Sequence, residues 1–286
     1  MGVALLALGA ALIGAPSAGA TITVGSNLSA PIDSGVGGDI TLFPIAPGSG
    51  LTTSPVAGTV VGGNVKQDTS ITPGWGTVSL RVVHPVGGGQ YQVLTAGPPN
   101  AIPSGAGTFP LAAHLAIAKG DIVAIQATGN LNRAITTGAT YLWEITGSFP
   151  PGGPPHSLNS GFPNSEILYN AQIDPTNAFT VGAPVGGKKG KATVVVTVPN
   201  PGTLDAGAIN DNRFAVSKKK KKSKPVLIRV TVTPTSAGPV TLALTASSAG
   251  RRILRDTGKL KTTVKFVYTP TGGSPATQTI PLKLKK

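Results

Sequence analysis

The chain contains no cysteine among its 286 residues. Disulfide bonds, thiolate nucleophiles and cysteine-based zinc sites are therefore excluded, which leaves three histidines and ten carboxylates as candidate metal ligands. The histidines are scattered along the sequence, and Glu144 and Glu166 are the only glutamates. The sequence therefore gives little support for a hydrolase that uses a pair of catalytic carboxylates. Neither a G-x-S-x-G nor an H-E-x-x-H motif occurs. We therefore predict no catalytic residue, no metal ligand and no cofactor, and expect that the protein is not an enzyme.

Aromatic residues (5%) and charged residues (12%) are also few, whereas hydrophobic residues reach 40%, enough to build buried cores. The 39 glycines and 26 prolines separate short runs rich in Val, Ile and Thr. This pattern is typical of turns between β-strands. After the first twenty residues no stretch combines helical periodicity with helix-forming composition. The sequence therefore predicts an all-β protein.

The spacing of the predicted strands suggests two domains. Between residues 21 and 178 the strands recur about every ten residues with turn signals between them, which predicts a jelly-roll-like β-sandwich. Residues 191–286 contain a strand count typical of an immunoglobulin-like β-sandwich, although the Cys…Trp…Cys signature of antibody domains is absent. Residues 179–190 are rich in glycine and lysine, and we interpret them as a linker.

Residues 1–20 are typical of a secretory signal peptide. An apolar core over residues 3–13, too short to cross a bilayer, is followed by Pro16 and by Ala18-Gly19-Ala20, an A-x-A cleavage site. No Lys or Arg precedes the apolar core, which departs from the usual pattern. We predict that the mature protein starts at Thr21 and that it is secreted, extracellular or cell-wall associated. We expect no transmembrane segment.

Charge is distributed very unevenly along the chain. Residues 21–180 contain four Lys or Arg against seven Asp or Glu, a net charge of −3, while residues 181–286 contain twenty against three, a net charge of +17. The basic part peaks in Lys218–Lys222 and Lys224, a run between two strand-like segments that we expect to form an exposed loop. A charge asymmetry of this size favours attraction to polyanions.

Two interpretations of the lysine run remain open. In the first, its anion-binding residues Lys218, Lys219, Lys220, Lys221, Lys222 and Lys224 attach the protein to an anionic cell-wall polymer or an acidic polysaccharide. In the second, they are a solvated basic face that keeps the protein soluble. No aromatic residue is interleaved with the lysines, and we therefore expect no specific nucleic-acid recognition.

A second candidate site is Trp75, in the turn Pro73-Gly74-Trp75-Gly76. An exposed aromatic side chain there would allow ligand stacking on a sugar ring, whereas a buried one would cap the end of the sandwich. The alternative function is therefore a carbohydrate-binding protein with a sugar site on the N-terminal sandwich. Calcium is a further alternative at Asp205 and Asp211, but their spacing matches no EF-hand loop.

Residues 245–286 resemble the C-terminal module of many exported bacterial, mainly actinobacterial, proteins. The similarity lies in the run Ser-Ala-Gly-Arg-Arg-Ile-Leu-Arg at residues 248–255 and in the later Gly-Lys-Leu-Lys, Val-Lys-Phe and Pro-Thr-Gly-Gly segments. Residues 54–58 and 117–121 resemble the β-sandwich that precedes this module in some of those proteins. The resemblance implies export and a β-sandwich fold without an established activity. The expected function is therefore that of an exported structural or binding protein of the cell envelope.

Overall fold

The computed structural model of the chain describes residues 21–68, 76–101, 105–145, 147, 149–209 and 224–286. Nearly all regular structure in these ranges is β, every strand pair is antiparallel, and one α-helix is present. The predicted all-β fold class is confirmed. The strands form four sheets, designated A to D, in an arrangement consistent with a β-sandwich fold.

Sheets A and B contain the strands of residues 22–175. The strands of sheet A are, in spatial order, β1 (Ile22–Gly25), β14 (Tyr169–Pro175), β4 (Gly58–Gln67) and β8 (Gly107–Leu111), with β9 (Leu115–Ile117) also paired to β4. Those of sheet B are β12 (His156–Ser157), β6 (Gln90–Ala96), β5 (Thr77–Gly87), β10 (Ile122–Ala127), β3 (Ile40–Ala46), β11 (Leu131–Ile145) and β13 (Asn159–Ile167), with β2 (Ser34–Val36) on β11 and β7 (Asn100–Ala101) on β5.

The first core contains apolar side chains from both of these sheets. Val60 of β4 and Tyr169 of β14 belong to the same buried cluster as Leu80 of β5 and Ile125 of β10. Successive side chains of a strand point to opposite faces, so alternate residues of each strand can enter one core. Val78, Leu80 and Val82 follow this alternation along β5.

Two tyrosines of this core, Tyr141 and Tyr169, are fully buried, and each hydroxyl donates one hydrogen bond. Tyr141 Oη donates to the carbonyl of Ile167 at 3.2 Å, and Tyr169 Oη donates to that of Val123 at 2.8 Å. Burial raises the pKa of both phenols well above the ordinary value of 10.0; Glu166 adds to the rise for Tyr141, and Tyr141 adds to it for Tyr169. Ionisation would therefore place a negative charge in a site that water does not reach, and it would remove the proton that each hydroxyl donates in its hydrogen bond.

We expect the free energy of unfolding to fall as the pH rises above about 10, by about 1.4 kcal/mol per pH unit for each of these tyrosines. Above that pH the unfolded chain loses the phenolic proton and the folded chain keeps it; below it the stabilisation is fully present. Urea unfolding at increasing pH, followed by tyrosinate absorbance, tests this. Tyr169→Phe keeps the ring and should reduce the pH dependence. Appearance of both tyrosinates before the chain unfolds would contradict the expectation.

The outer face of sheet B carries a smaller apolar cluster next to a proline-rich loop. Phe43, Val83 and Phe149 belong to this cluster, and the loop continues from Phe149 to Pro155 without a strand, as its composition predicts. The buried Arg81 fastens the start of the loop by donating from Nη1 to the carbonyl of Phe149 at 2.8 Å. Burial lowers the pKa of Arg81, while the charge of Asp39 opposes that change. Arg81 therefore has a structural role.

Sheets C and D contain the strands of residues 180–285. Sheet C consists of β15 (Thr180–Val181), β17 (Lys191–Val198) and β16 (Val185–Gly186), with β20 (Gly238–Thr245) also paired to β17. Sheet D has the spatial order β19 (Val230–Val232), β18 (Gly202–Ala208), β21 (Lys259–Pro270) and β22 (Ala276–Lys285). A second apolar cluster includes Val194, Leu242, Phe266 and Leu284.

The segment that we expect to be a linker, residues 179–190, pairs with this second set of sheets. Both β15 and β16 lie in it and hydrogen-bond to β17, a 3-10 turn follows at Lys188–Gly190, and the side chain of Phe179 lies in the second apolar cluster. The division into domains 21–178 and 191–286 remains a prediction.

The α-helix, α1 (Ser248–Thr257), follows sheet C and is capped at both ends. The Ser247 side chain accepts a hydrogen bond from the Gly250 amide at 3.2 Å, and Gly258 ends the helix in the left-handed conformation. Gly250 and Leu254 are its buried residues. A side chain at position 250 would collide with the carbonyl of Val226, so glycine is needed there for close packing.

A buried asparagine joins the two parts of the chain. Asn200, in the turn between β17 and β18, is 2% exposed. Its Oδ1 accepts from the Ala57 amide, and its Nδ2 donates to the carbonyls of Ala57 and Thr176, each at 2.9 Å. Its own carbonyl accepts from the Tyr268 hydroxyl at 2.6 Å. One side chain therefore connects residues on both sides of the 179–190 segment.

Candidate functional site

Most of the predicted site residues, Lys218–Lys222 and Trp75, lie outside the described residues. Lys224, the last lysine of the run, is described and exposed. It precedes Pro225, whose carbonyl accepts a 2.6 Å hydrogen bond from the hydroxyl of Ser247, the N-terminal cap of α1. The run therefore ends beside the N-terminus of this helix.

Four further lysines face each other across the β21–β22 hairpin; we call Lys259, Lys261, Lys283 and Lys285 the lysine ladder. In the strand register Lys259 is directly opposite Lys285, and Lys261 is directly opposite Lys283. All four are exposed, while Leu260 and Leu284 between them are buried. The alternation of the strands therefore places all four ammonium groups on one face of sheet D.

Like charges directly opposite each other weaken an antiparallel pair. The described carboxylates of residues 179–209 and 224–286 are Asp205 and Asp256. Asp205 contacts Arg229 at 2.6 Å, and Asp256 lies 3.9 Å from Arg252 and 3.6 Å from Arg255. Within the described chain no carboxylate forms an ion pair with the ladder. The ladder thus costs the fold stability, and an anion from outside the protein would offset that cost.

Protection of an exposed sheet edge explains only part of the ladder. β22 is the last strand of sheet D, and lysine and proline at such an edge, here Lys283, Lys285 and Pro281, discourage pairing with another chain. β21 pairs with β18 from Val264 to Pro270, so Lys259 and Lys261 lie beyond that pairing. Edge protection does not require that these two lysines lie directly opposite Lys285 and Lys283, where like charges weaken the strand pair.

A groove with four cationic side chains adjoins the ladder; we call it the basic groove. It is lined by Lys189, Gly190, Arg251, Leu254, Arg255 and Lys286. The Lys286 amide donates to the carbonyl of Gly258 at 3.1 Å, and the Lys285 amide donates to that of Gly187. These bonds hold the end of β22 against the end of α1 and the 3-10 turn. The ladder, the groove and Lys224 thus border one helix, about 15 Å long.

The histidines form no metal site among the described residues. His84 Nδ1 lies 2.7 Å from Oδ1 of the buried Asp121, whose other oxygen accepts from the Ala118 amide at 2.9 Å, and His114 is exposed. No group of three or more His, Asp or Glu side chains within the described ranges could hold a metal ion. The pair of His84 and Asp121 instead stabilises the turn before β10.

The residues on either side of segment 69–75, which contains Trp75, are anchored at one end of the first core. The Asp68 amide donates to Asn132 Oδ1 at 2.5 Å, and the Thr77 amide donates to Thr128 Oγ1 at 2.8 Å. Beside them, both polar side-chain atoms of Gln67 and the Nδ2 of Asn132 are buried and have no hydrogen-bond partner in the part of the chain that the structure describes. This end of the first core therefore has unused hydrogen-bonding capacity.

The lysine ladder was not predicted, although the sequence carries a signal for it. The tripeptide Lys-Leu-Lys occurs at residues 259–261 and again at 283–285, on the two sides of a predicted hairpin turn. In an antiparallel hairpin of matching arm lengths, such tripeptides lie opposite each other. The signal for the ladder is therefore cations at alternate positions, whereas Lys218–Lys222 are consecutive cations.

No protein-family model matches this chain, and no curated protein is significantly similar to it in sequence. Among the described residues, no helix has the length and apolar character needed to cross a membrane.

Proposed function

We propose that the chain is an exported, non-enzymatic structural or binding protein of the cell envelope. Its basic C-terminal part associates with an anionic cell-wall polymer or an acidic polysaccharide. The observation that carries this proposal is the lysine ladder, which keeps four like charges in two directly opposed pairs with no carboxylate partner among the described residues. The adjoining groove and Lys224 extend the positive surface around α1.

The same proposal includes the domain organisation, the family and the location of the protein. Two separate apolar clusters, within residues 24–173 and 179–284, support two sandwiches, jelly-roll-like and immunoglobulin-like. The resemblance at residues 245–286 supports a place among the exported actinobacterial-type β-sandwich proteins. Export itself relies on the signal-like residues 1–20, which lie outside the described residues.

Retention of the full secreted protein on immobilised polyphosphate and polygalacturonate, beside a neutral polysaccharide, tests the proposal. We expect retention on both polyanions at about 50 mM salt and release by about 500 mM, because screening and counter-ion competition weaken contacts between exposed charges. We expect no retention on the neutral polysaccharide. A protein that binds neither polyanion at low salt would refute the proposal.

The lysine run gives a separate prediction. Lys219→Ser, Lys220→Ser and Lys221→Ser together should weaken retention on polyphosphate and make it less salt-dependent, because up to about three fewer counter-ions are released. The melting temperature should stay nearly unchanged or rise slightly, since repulsion within the run decreases. Equal affinity of variant and wild type at low salt would show that the run is only a solvated face. A large loss of stability would show that it belongs to a structural strand.

A second candidate function is carbohydrate binding at the end of the first core, where Asp68 and Thr77 lie on either side of the sequence segment that contains Trp75. The observation that favours it is that side-chain groups of Gln67 and Asn132 have no hydrogen-bond partner among the described residues. Sugar hydroxyls are donors and acceptors that could use those groups. The salt experiment separates the two functions, because sugar binding through stacking and hydrogen bonds should survive at about 500 mM salt. Salt-resistant retention on the neutral polysaccharide would therefore favour this candidate.

A further inference from the structure

The basic groove combines positive charge with an apolar floor. Its cations come from three elements: Lys189 from the 3-10 turn, Arg251 and Arg255 from α1, and Lys286 after β22. Leu254, 4% exposed, and Gly190, which has no side chain, supply the floor. No Asp or Glu side chain is among the residues that line it. The groove volume is about 410 Å³, within the size range of small-ligand sites.

The two arginines are placed so that they repel each other. Arg251 and Arg255 are four residues apart on α1, where side chains are neighbours and like charges destabilise the helix. Arg252, at the same spacing from Asp256, has an opposite charge 3.9 Å away. Arg255 has a 3.6 Å contact with Asp256, but no ion pair of Arg251 occurs among the described residues. An anion between Arg251 and Arg255 would turn this repulsion into attraction.

The chemistry of the lining residues selects a particular class of anion. The planar guanidinium group matches two oxygens of one phosphate, and arginine binds such groups in a bidentate manner. A phosphate monoester carries close to two negative charges at neutral pH, which suits a groove with four cations better than a single carboxylate does. The apolar floor suits the carbon atoms next to the ester oxygen.

From this geometry we infer that the basic groove is a subsite for one phosphate monoester, whose organic part lies on Leu254 and Gly190. The inference rests on the proposed function, since the phosphate would belong to the end or a side group of a bound polymer. Lys285 and Lys286 are consecutive residues, one in the ladder and one in the groove. A polymer could therefore extend along the ladder while its terminal phosphate occupies the groove.

Titration of the full chain with phenyl phosphate, followed by calorimetry or NMR, tests the subsite. We expect a dissociation constant of about 1 mM for phenyl phosphate, binding about tenfold weaker for inorganic phosphate, and no binding of benzyl alcohol. Arg251→Gln should weaken phenyl phosphate binding about tenfold. The matched control is Arg252→Gln, which removes the same charge from the same helix but does not line the groove, and it should leave the affinity within about twofold.

Several outcomes would overturn the inference. Equal affinities for phenyl phosphate and inorganic phosphate would show that the floor plays no part. Equal losses from Arg251→Gln and Arg252→Gln would show only a diffuse charge effect. Binding of phosphatidic acid vesicles without binding of phenyl phosphate would assign the surface to a lipid membrane. Loss of phenyl phosphate binding with retention on polyphosphate intact refutes the subsite alone, whereas the reverse result refutes the proposed polymer function alone.

Discussion

Lys261→Glu combined with Lys285→Glu should weaken retention on polyphosphate by about tenfold or more at low salt and should also stabilise the fold. The variant replaces one lysine in each pair of the ladder, so that two Lys–Lys pairs become two Lys–Glu pairs. Each cross-strand pair then changes from repulsive to attractive, worth about 0.5–1 kcal/mol in the free energy of unfolding. Binding falls because four units of positive charge are lost from the contact surface. Denaturant unfolding and salt-dependent retention measure the two effects.

The matched control is Lys119→Glu, compared with Lys261→Glu alone, because it makes the same change in net charge far along the chain from the ladder and the groove. Lys119 lies in the turn before β10 and is exposed. This control should retain most of the affinity for polyphosphate and should not be stabilised. Equal losses of affinity in the two variants would show that only net charge matters. A ladder variant that is less stable than wild type would show that the lysines do not repel each other in solution.

Asn200→Ala should lower the free energy of unfolding by about 2–4 kcal/mol, because it removes three hydrogen bonds of a buried side chain and leaves the Ala57 amide without a partner. It should also make the two parts of the chain unfold less cooperatively. Both tryptophans, Trp75 and Trp143, precede residue 178, so their fluorescence reports on the first part alone, while circular dichroism reports on all strands. In the variant the two signals should separate along a urea titration.

Asn177→Ala provides the control for this experiment. Asn177 connects the same two parts through one hydrogen bond from Nδ2 to the carbonyl of Ser274, at 3.0 Å, in a partly buried position. Its loss should cost about 1 kcal/mol or less and should not separate the two signals. If Asn200→Ala unfolds at the wild-type midpoint with coincident signals, the asparagine does not couple the two parts.

Strand bounds can be predicted from the sequence where one face of a strand is buried and the other is exposed to solvent. β17 alternates perfectly between exposed and buried residues, and the alternating sequence of residues 192–198 predicts a strand that matches its observed bounds of Lys191–Val198 within one residue. The apolar run over residues 167–173 predicts one strand as well, and that prediction is wrong. Ile167 pairs with β11 in sheet B, whereas Tyr169 pairs with β4 in sheet A. Leu168 between them is fully buried, so the sequence shows one continuous apolar run that hides the crossing from one sheet to the other.

The candidate site shows a different limit. A run such as Lys218–Lys222 is visible without any knowledge of pairing, but the ladder exists only once the register of β21 and β22 is fixed. The groove is even more difficult to predict from the sequence, because its four cationic side chains come from positions as far apart as Lys189 and Lys286. Contacts of that kind depend on tertiary packing, which local patterns do not report. The basic composition of residues 181–286 was predictable, and the clustering of its charges around α1 was not.

Because β22 is the last strand of its sheet, binding to a polymer would change how closely two protein molecules can approach each other. Gly187 covers one end of the outer side of β22, where it accepts from the Lys285 amide, and the charges of Lys283 and Lys285 oppose the approach of a second copy to the rest of that side. A polyanion lying on the ladder would neutralise that repulsion while bringing other copies close. The lysine charges that keep free protein molecules apart would thus be neutralised on a polymer whose binding sites are all occupied. Crowded binding would then favour edge-to-edge contacts between neighbouring copies.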